Sequence, residues 1–341
     1  VDRNSVVLDG ETDLENGIVV RSNGVAIENL TVRGYRGNGV LFVGELDQRG
    51  ASGDSYGAAG ESVQLRGYRA SYITAHDNGL YGLYAFAAQQ GVFEHSYTAG
   101  HPDAGVYIGQ CQPCDAVVTD VVSERNTIGY QAINASGVAV VSSTWTGNRM
   151  GIEVGSQNAE RLAPQIGHHI VGNVVTDNVN AAAPGTPESA FGLGIVISGG
   201  QENVIERNLV EGHSLAGIAV TDVDVYAPRG NQVRGNVLAD NGVDLVYVIS
   251  TPNRGGEPPS DCFEANRAET ADPPSLLVDT CGGQTPSTDP LVGPPGPKTV
   301  TFSVQRVAPQ PSRPGDPRGP WMSAAEIETT LDLDQIELPE R

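Results

Sequence analysis

The chain has 341 residues, and its 43 glycines and 22 prolines make about one residue in five a backbone punctuator, poor material for a helical protein. Twenty lysines and arginines face 41 aspartates and glutamates, a net charge of −21 at pH 7, and Lys298 is the one lysine. That balance excludes a phosphate-neutralising surface, so nucleic acid and anionic membranes are not expected partners.

No stretch approaches the roughly 18 apolar residues that span a bilayer, so no membrane span is expected. VDRNSVVLDG lacks the basic and apolar regions of a leader, and any export signal is expected to have been removed.

In chain order, a glycine followed by alternating apolar residues recurs at Gly17, Gly39, Gly82, Gly105, Gly129, Gly151, Gly194 and Gly217. Most gaps are 22 to 24 residues, and two of 43 are a unit carrying an insertion. A second apolar run precedes most of these glycines, as in VAIENLTV from Val25, AVVTDVV from Ala116 and VIERNLV from Val204. A repeat of this length, with β-branched strands and no helical period, predicts a chain coiling so that each strand pairs with its counterpart one turn on. The expected fold is all-β, a parallel β-helix of about nine coils.

The alternation assigns faces. Ile18, Val40, Leu83, Val106, Tyr130, Ile152, Ile195 and Ile218 form one inward column, and Val20, Phe42, Ala85, Ile108, Ala132, Val154, Ile197 and Val220 a second. Asn16, Asn38, Asn78, Asn126, Asn148 and Asn241 fall at turns, where stacked amides bond along the coil axis. Ser96, Asp120, Ser143, Asn173, Asn208 and Asn236 form a second polar column that marks a bend.

Insertions at 44–66, 155–167, 179–192 and 221–230 are expected to emerge mostly from one edge and wall a groove. On the adjoining strand the outward position carries Tyr84, Tyr107, Gln131 and Glu153 on four successive rungs, with Asp103 and Arg149 just upstream of their glycines. Aromatic faces beside carboxylates and an amide suit a sugar chain, which stacks its C–H faces and hydrogen-bonds its hydroxyls. Tyr84, Tyr107 and Gln131 are the expected substrate-binding residues, unless the tyrosines merely pack beneath the 44–66 insertion. His101, Asp103, Tyr107, Glu153 and Arg149 are the candidate catalytic set: His and Tyr as base and acid beside a uronate carboxyl, Arg149 or a metal neutralising it, or Asp103 and Glu153 as a carboxylate pair. The competing reading of the His95 to Tyr107 segment is turn residues and surface tyrosines.

CQPC, Cys111 to Cys114, has the spacing of a redox pair or half a zinc site, but no second CxxC follows, and a small disulfide is expected. Cys262 and Cys281 are expected to close a loop that fastens a C-terminal cap. No cofactor is called for by these residues, with calcium the one ion allowed for, and the metal set is unknown. The cysteine pairs favour an extracytoplasmic location, secreted or at the cell surface.

Sixteen of the 22 prolines lie beyond Ser250. The expected organisation is therefore a β-helix over 1–250, a disulfide-closed cap over 251–283 and a Pro-rich, acidic, extended tail over 284–341. The tail lies along the rod, or residues 321–341 dock to a protein partner through Trp321, Leu331, Leu333 and Ile336.

The repeated GIxV strands and Asn turns across residues 14–250 resemble right-handed parallel β-helix proteins of the pectate-lyase-like superfamily, nearest the NosD-like and carbohydrate-binding sugar-hydrolase groups. The resemblance implies that fold, which hosts lyases, hydrolases, epimerases, adhesins and non-catalytic assembly factors. Lyases of this fold often use Lys or Arg as base, whereas Lys298 lies in the tail. Mannuronan epimerases carry Asp-Pro-His-Asp, and this chain has His101-Pro102-Asp103, with the order changed. The NosD-like group takes part in copper-enzyme maturation, for which no Met-rich or His-rich motif is present. The expected function is binding or processing of a polysaccharide, and the alternative is a scaffold that docks to a larger assembly through its coil end and tail.

Overall fold

A computed structural model describes residues 2–44, 63–158, 162–185, 190–251, 260–278, 281, 284–293, 296–298, 300, 302, 304, 306–314 and 331–340. The chain winds as a parallel β-helix. Ten strands stack in the glycine sheet, from Ile18–Val20 to Ala271–Asp272, every pairing parallel. The rest of each coil forms two further ladders. They fuse into one sheet because Val25–Arg33 and Leu65–His76 run unbroken around a corner.

Three corners per coil follow from backbone geometry. Left-handed residues recur at five-residue steps: Asp115, Asp120, Arg125, then Gly137, Ser142, Gly147, then Gly167, Gly172, Asp177, then Glu202, Arg207, Gly212. Each turns the chain, and the next residue points inward. These inward positions stack into three polar columns, whose amides satisfy backbone groups that the bends would otherwise orphan.

In one column Asn126 N donates to Asn148 Oδ1 at 2.9 Å and Asn148 N to Asn178 Oδ1 at 3.0 Å. In the second, Asn173 N reaches Asn208 Oδ1 at 2.9 Å and Asn208 N reaches Asn236 Oδ1 at 3.0 Å. In the third, Asn203 N donates to Asn231 Oδ1 at 3.0 Å and Asn231 N to Asp261 Oδ1 at 2.9 Å. The expected bend column needs one correction. Its member on the Asp120 coil is Val121, whose amide donates to Ser143 Oγ, while Asp120 is the exposed left-handed corner beside it.

Between the columns the core is dry. Both expected inward rows pair in register, Ile18 through Ile218 and Val20 through Val220, and belong to one apolar core. The repeat glycines sit where coils approach closest. A Cβ on Gly17, Gly39, Gly82, Gly129, Gly151, Gly194 or Gly217 would stand 2.4 to 2.8 Å from a carbonyl oxygen of the next coil. That contact, rather than a positive φ, requires glycine in this column.

The ladders continue past residue 250: Cys262–Glu264 pairs with Gln232–Arg234, and Ala271 with Leu245. Leu276, buried in a short 3-10 turn over Pro274–Leu277, follows that last coil. The described residues contain no helix long and apolar enough to cross a membrane.

Candidate functional site

The glycine side chain the coil cannot fit also fixes the outer face. Each repeat glycine and the residue after it both face the core, so alternation slips once and the residue before the glycine points outward with the second residue after it. Tyr81 therefore joins the outer face, a placement that strict alternation from the glycine does not give.

Tyr84, Tyr107, Gln131 and Glu153 are direct partners on successive rungs, as the register required. The rings of Tyr84 and Tyr107 stack 4.9 Å apart, and Tyr81 tilts against both at 4.8 and 4.9 Å. Above them Gln131 Nε2 donates to Glu153 Oε2 at 2.8 Å. Burial pushes the Glu153 carboxyl above its usual range; the Gln131 bond opposes that, and Asp103 adds like-charge repulsion. Asp103 is raised too, again by burial, although the Tyr81 hydroxyl bonded to it pulls the other way. Two carboxyls held above their usual range beside three tyrosines can divide the roles of proton acceptor and proton donor.

No protein-family model matches the sequence, and no curated protein matches it. Among solved structures, the chain is similar to the A-module of the mannuronan C-5 epimerase AlgE4 of Azotobacter vinelandii, with a TM-score of 0.51 and 16% identity over 78% of this chain and 68% of that one. The AlgE6 A-module of the same organism gives 0.48, 14%, 75% and 70%. The likeness is one of fold: the chain is a right-handed parallel β-helix.

On this β-helix Arg149 closes the upper end of the patch. Its side chain is fully buried, its guanidinium lies 5.0 Å from the centre of the Phe191 ring, and Nη2 donates to the Pro297 carbonyl at 3.3 Å. Nε and Nη1 meet no acceptor among the described residues. Burial lowers its pKa. A buried cation with no carboxylate partner among the described residues is costly to hold, which makes this a place for an anion. Thr127 stands between Arg149 and Asp103, its hydroxyl directed to the carbonyls of Pro102 and Pro184.

His101 is placed elsewhere. It fills an asparagine position of the corner column, fully buried, with Nδ1 on Asn126 Oδ1 at 2.8 Å and Nε2 on Asn78 Nδ2 at 3.2 Å. Burial lowers its pKa to about 4, so the ring is neutral and both nitrogens are used inside the coil. Reading HPD as a reactive segment missed that His101 substitutes for asparagine, as His213 does between Asn178 and Asn241.

Cys111 pairs with Cys114 and Cys262 with Cys281, as expected from their spacing. The 44–66 insertion lies mostly outside the described residues, so the packing expected of it over the tyrosines does too, as does Trp321. Leu333 and Ile336 lie on the coil: the Leu333 carbonyl accepts from Arg207 Nη2 at 2.6 Å, and Ile336 lies against Gly172. Residues 338 and 339 help bound a cavity of about 600 Å³ with Val237, Arg267 and Glu269.

Proposed function

We propose that the outer face bearing Tyr81, Tyr84, Tyr107, Asp103, Gln131, Glu153 and Arg149 is a polysaccharide site, and that the chain processes an acidic polysaccharide. The observation that carries this is the stacked Tyr84–Tyr107 pair in register with Glu153 and close to Asp103, which Tyr81 bonds, together with a guanidinium, that of Arg149, two of whose nitrogens meet no acceptor among the described residues. The half-buried rings of Tyr81 and Tyr84, backed by the buried Tyr107, offer sugar C–H faces a platform, and Arg149 offers a sugar carboxylate its counter-charge. The likeness to an epimerase that acts on mannuronan supports the substrate class. In this reading the tyrosines position the polymer, Arg149 neutralises the carboxylate, and Asp103 and Glu153 exchange the proton beside it. His101 takes no part.

The two cysteine pairs support an oxidising, extracytoplasmic setting. A scaffold docking through residues 321–341 is less well supported, because Leu333 and Ile336 already contact the coil.

A panel of uronate and neutral polysaccharides tests the proposal, with binding read by affinity electrophoresis and products by NMR. Wild type should engage the acidic polymers, Arg149→Ala should weaken binding at least tenfold, and Glu153→Gln should bind without turnover. No binding and no product on any uronate polymer overturns it.

A further inference from the structure

The C-terminal segment retraces the rod. It is fastened at the last coils, where Gln284 bonds both backbone groups of Phe263 at 3.0 Å and the Ser287 amide donates to the Tyr247 carbonyl at 2.9 Å. It is fastened again at the first coils. There the Asn4 side chain bonds the backbone carbonyl and amide of Gln310 at 2.9 and 2.8 Å, Ser312 Oγ accepts from the Arg3 amide at 2.9 Å, and Arg313 Nη1 donates to Glu28 at 2.7 Å.

Between these anchors the described residues cross the outer face of the glycine sheet. Leu291 packs on the apolar cluster of Leu193, Val196, Ala216, Ala219 and Val246. Pro297 lends its carbonyl to Arg149, and the Val300 carbonyl accepts from Gly185 N at 3.1 Å. Phe302 and Val304 then roof a cavity of about 300 Å³ over Asp9, Arg33, His76 and Asp77.

Length adds a second argument. Ser287 and Gln310 are 23 residues apart. Fully extended, such a segment spans about 75 Å. Ten rungs at roughly 4.8 Å occupy about 45 Å. The middle therefore has the slack to lift while both ends stay attached. The Pro297 carbonyl also takes Nη2 of the guanidinium that the proposed function assigns to a sugar carboxylate, so polymer and segment meet at one side chain.

We propose that the described residues between Thr288 and Arg313 form a strap, pinned at both ends of the rod and laid across the outer face, which closes Arg149 from solvent and must rise for a polymer to reach it. What the strap covers rests on the proposed function; its existence as a movable element does not.

The test is the full chain carrying Asn4→Ala, Ser312→Ala and Arg313→Ala, which removes the side chains that make these bonds, with Arg313→Ala alone as the milder variant. Hydrogen exchange is followed by mass spectrometry, and phenylglyoxal modification of Arg149 is followed by peptide mapping. Exchange over 296–306 and labelling of Arg149 should each rise at least tenfold in the triple variant and in the same direction in the single one, with strands 104–111, 128–135 and 150–155 unchanged within twofold. Unchanged strap exchange or unchanged Arg149 labelling overturns the proposal. So does a parallel rise in the three strands, which would make the segment a structural staple. If the strap opens as expected and no uronate polymer binds even then, the functional reading fails and the strap stands.

Discussion

Tyr84 and Tyr107 are 23 residues apart in sequence and direct neighbours in space, their rings 4.9 Å apart and 10° from parallel. One turn of the coil brings them together, and the slip of alternation at Gly82 adds Tyr81 to the same platform. A stacked aromatic pair is worth about 0.5 to 1.5 kcal/mol beyond its buried area.

Tyr107 separates stacking from hydroxyl chemistry. Tyr107→Phe keeps the ring, so stability in urea should change by less than about 1 kcal/mol, whereas Tyr107→Ala, which empties a buried position, should cost about 3 kcal/mol or more. Affinity for an acidic polymer should stay within threefold for Phe and fall at least tenfold for Ala. Equal loss of affinity in both variants would assign the contact to the hydroxyl.

The corner columns make a second prediction. Asn148 Oδ1 accepts from both Asn126 N and Asn126 Nδ2, while its own Nδ2 reaches Ser123 O and Asn178 Oδ1. Asn148→Ala would leave two buried backbone groups of the preceding coil, Asn126 N and Ser123 O, without this partner, at about 1 to 3 kcal/mol for each group. Asn148→His should cost less, because His101 and His213 show that an imidazole can hold this column together. Urea midpoints of the two variants decide it, and a His variant as damaged as the Ala variant would contradict the equivalence.

How legible this was in the sequence depends on whether a position constrains residue type. The inward rows from Ile18 and Val20 showed because a dry core admits only apolar side chains, and the turn asparagines showed because one amide both donates and accepts along the stack. The five-residue corner rhythm left no such mark. Its left-handed positions are held by Gly, Asn, Gln, Tyr, His, Asp, Ser, Arg, Glu and Ala, whose side chains point away from the core and are chosen for other reasons. Hence Asp120 reads as a member of the column that Val121 occupies, and His101, chemically reactive by type, is structural by place. The roof over Arg149 was not legible at all, because Phe191 and Pro297 reach it from insertion and tail.

The glycine column offers a third test. An alanine Cβ at Gly194 would stand 2.4 Å from the Gly217 carbonyl and 2.9 Å from Val210 Cγ1, so two coils would have to separate. Gly167 has φ +71 and open space around it. Gly167→Ala should therefore cost about 1 to 2 kcal/mol for its left-handed backbone alone, and Gly194→Ala about 3 kcal/mol or more from overpacking at a coil contact. Thermal melts should rank them in that order. The reverse order would mean that the coils yield more readily than the corners.

Glu153 gives the last prediction, and its sign follows from burial. Its folded-state pKa lies above the usual 4.5 because burial disfavours the carboxylate and Asp103 repels it. A raised carboxyl binds its proton more tightly folded than unfolded, so its favourable contribution is complete below about 4.5 and is lost as the pH climbs through the folded value. At neutral pH the native state must either keep the proton or bury the charge, and both cost stability relative to an unfolded chain that ionises freely. Glu153→Gln keeps an acceptor for Gln131 Nε2 and removes the titration. The variant should be more stable than wild type at pH 7, with the advantage shrinking toward zero as the pH is lowered below 4.5. Paired melts from pH 3.5 to 8 measure this, and a gap that stays flat across the range would show that Glu153 ionises in the folded chain as readily as in water.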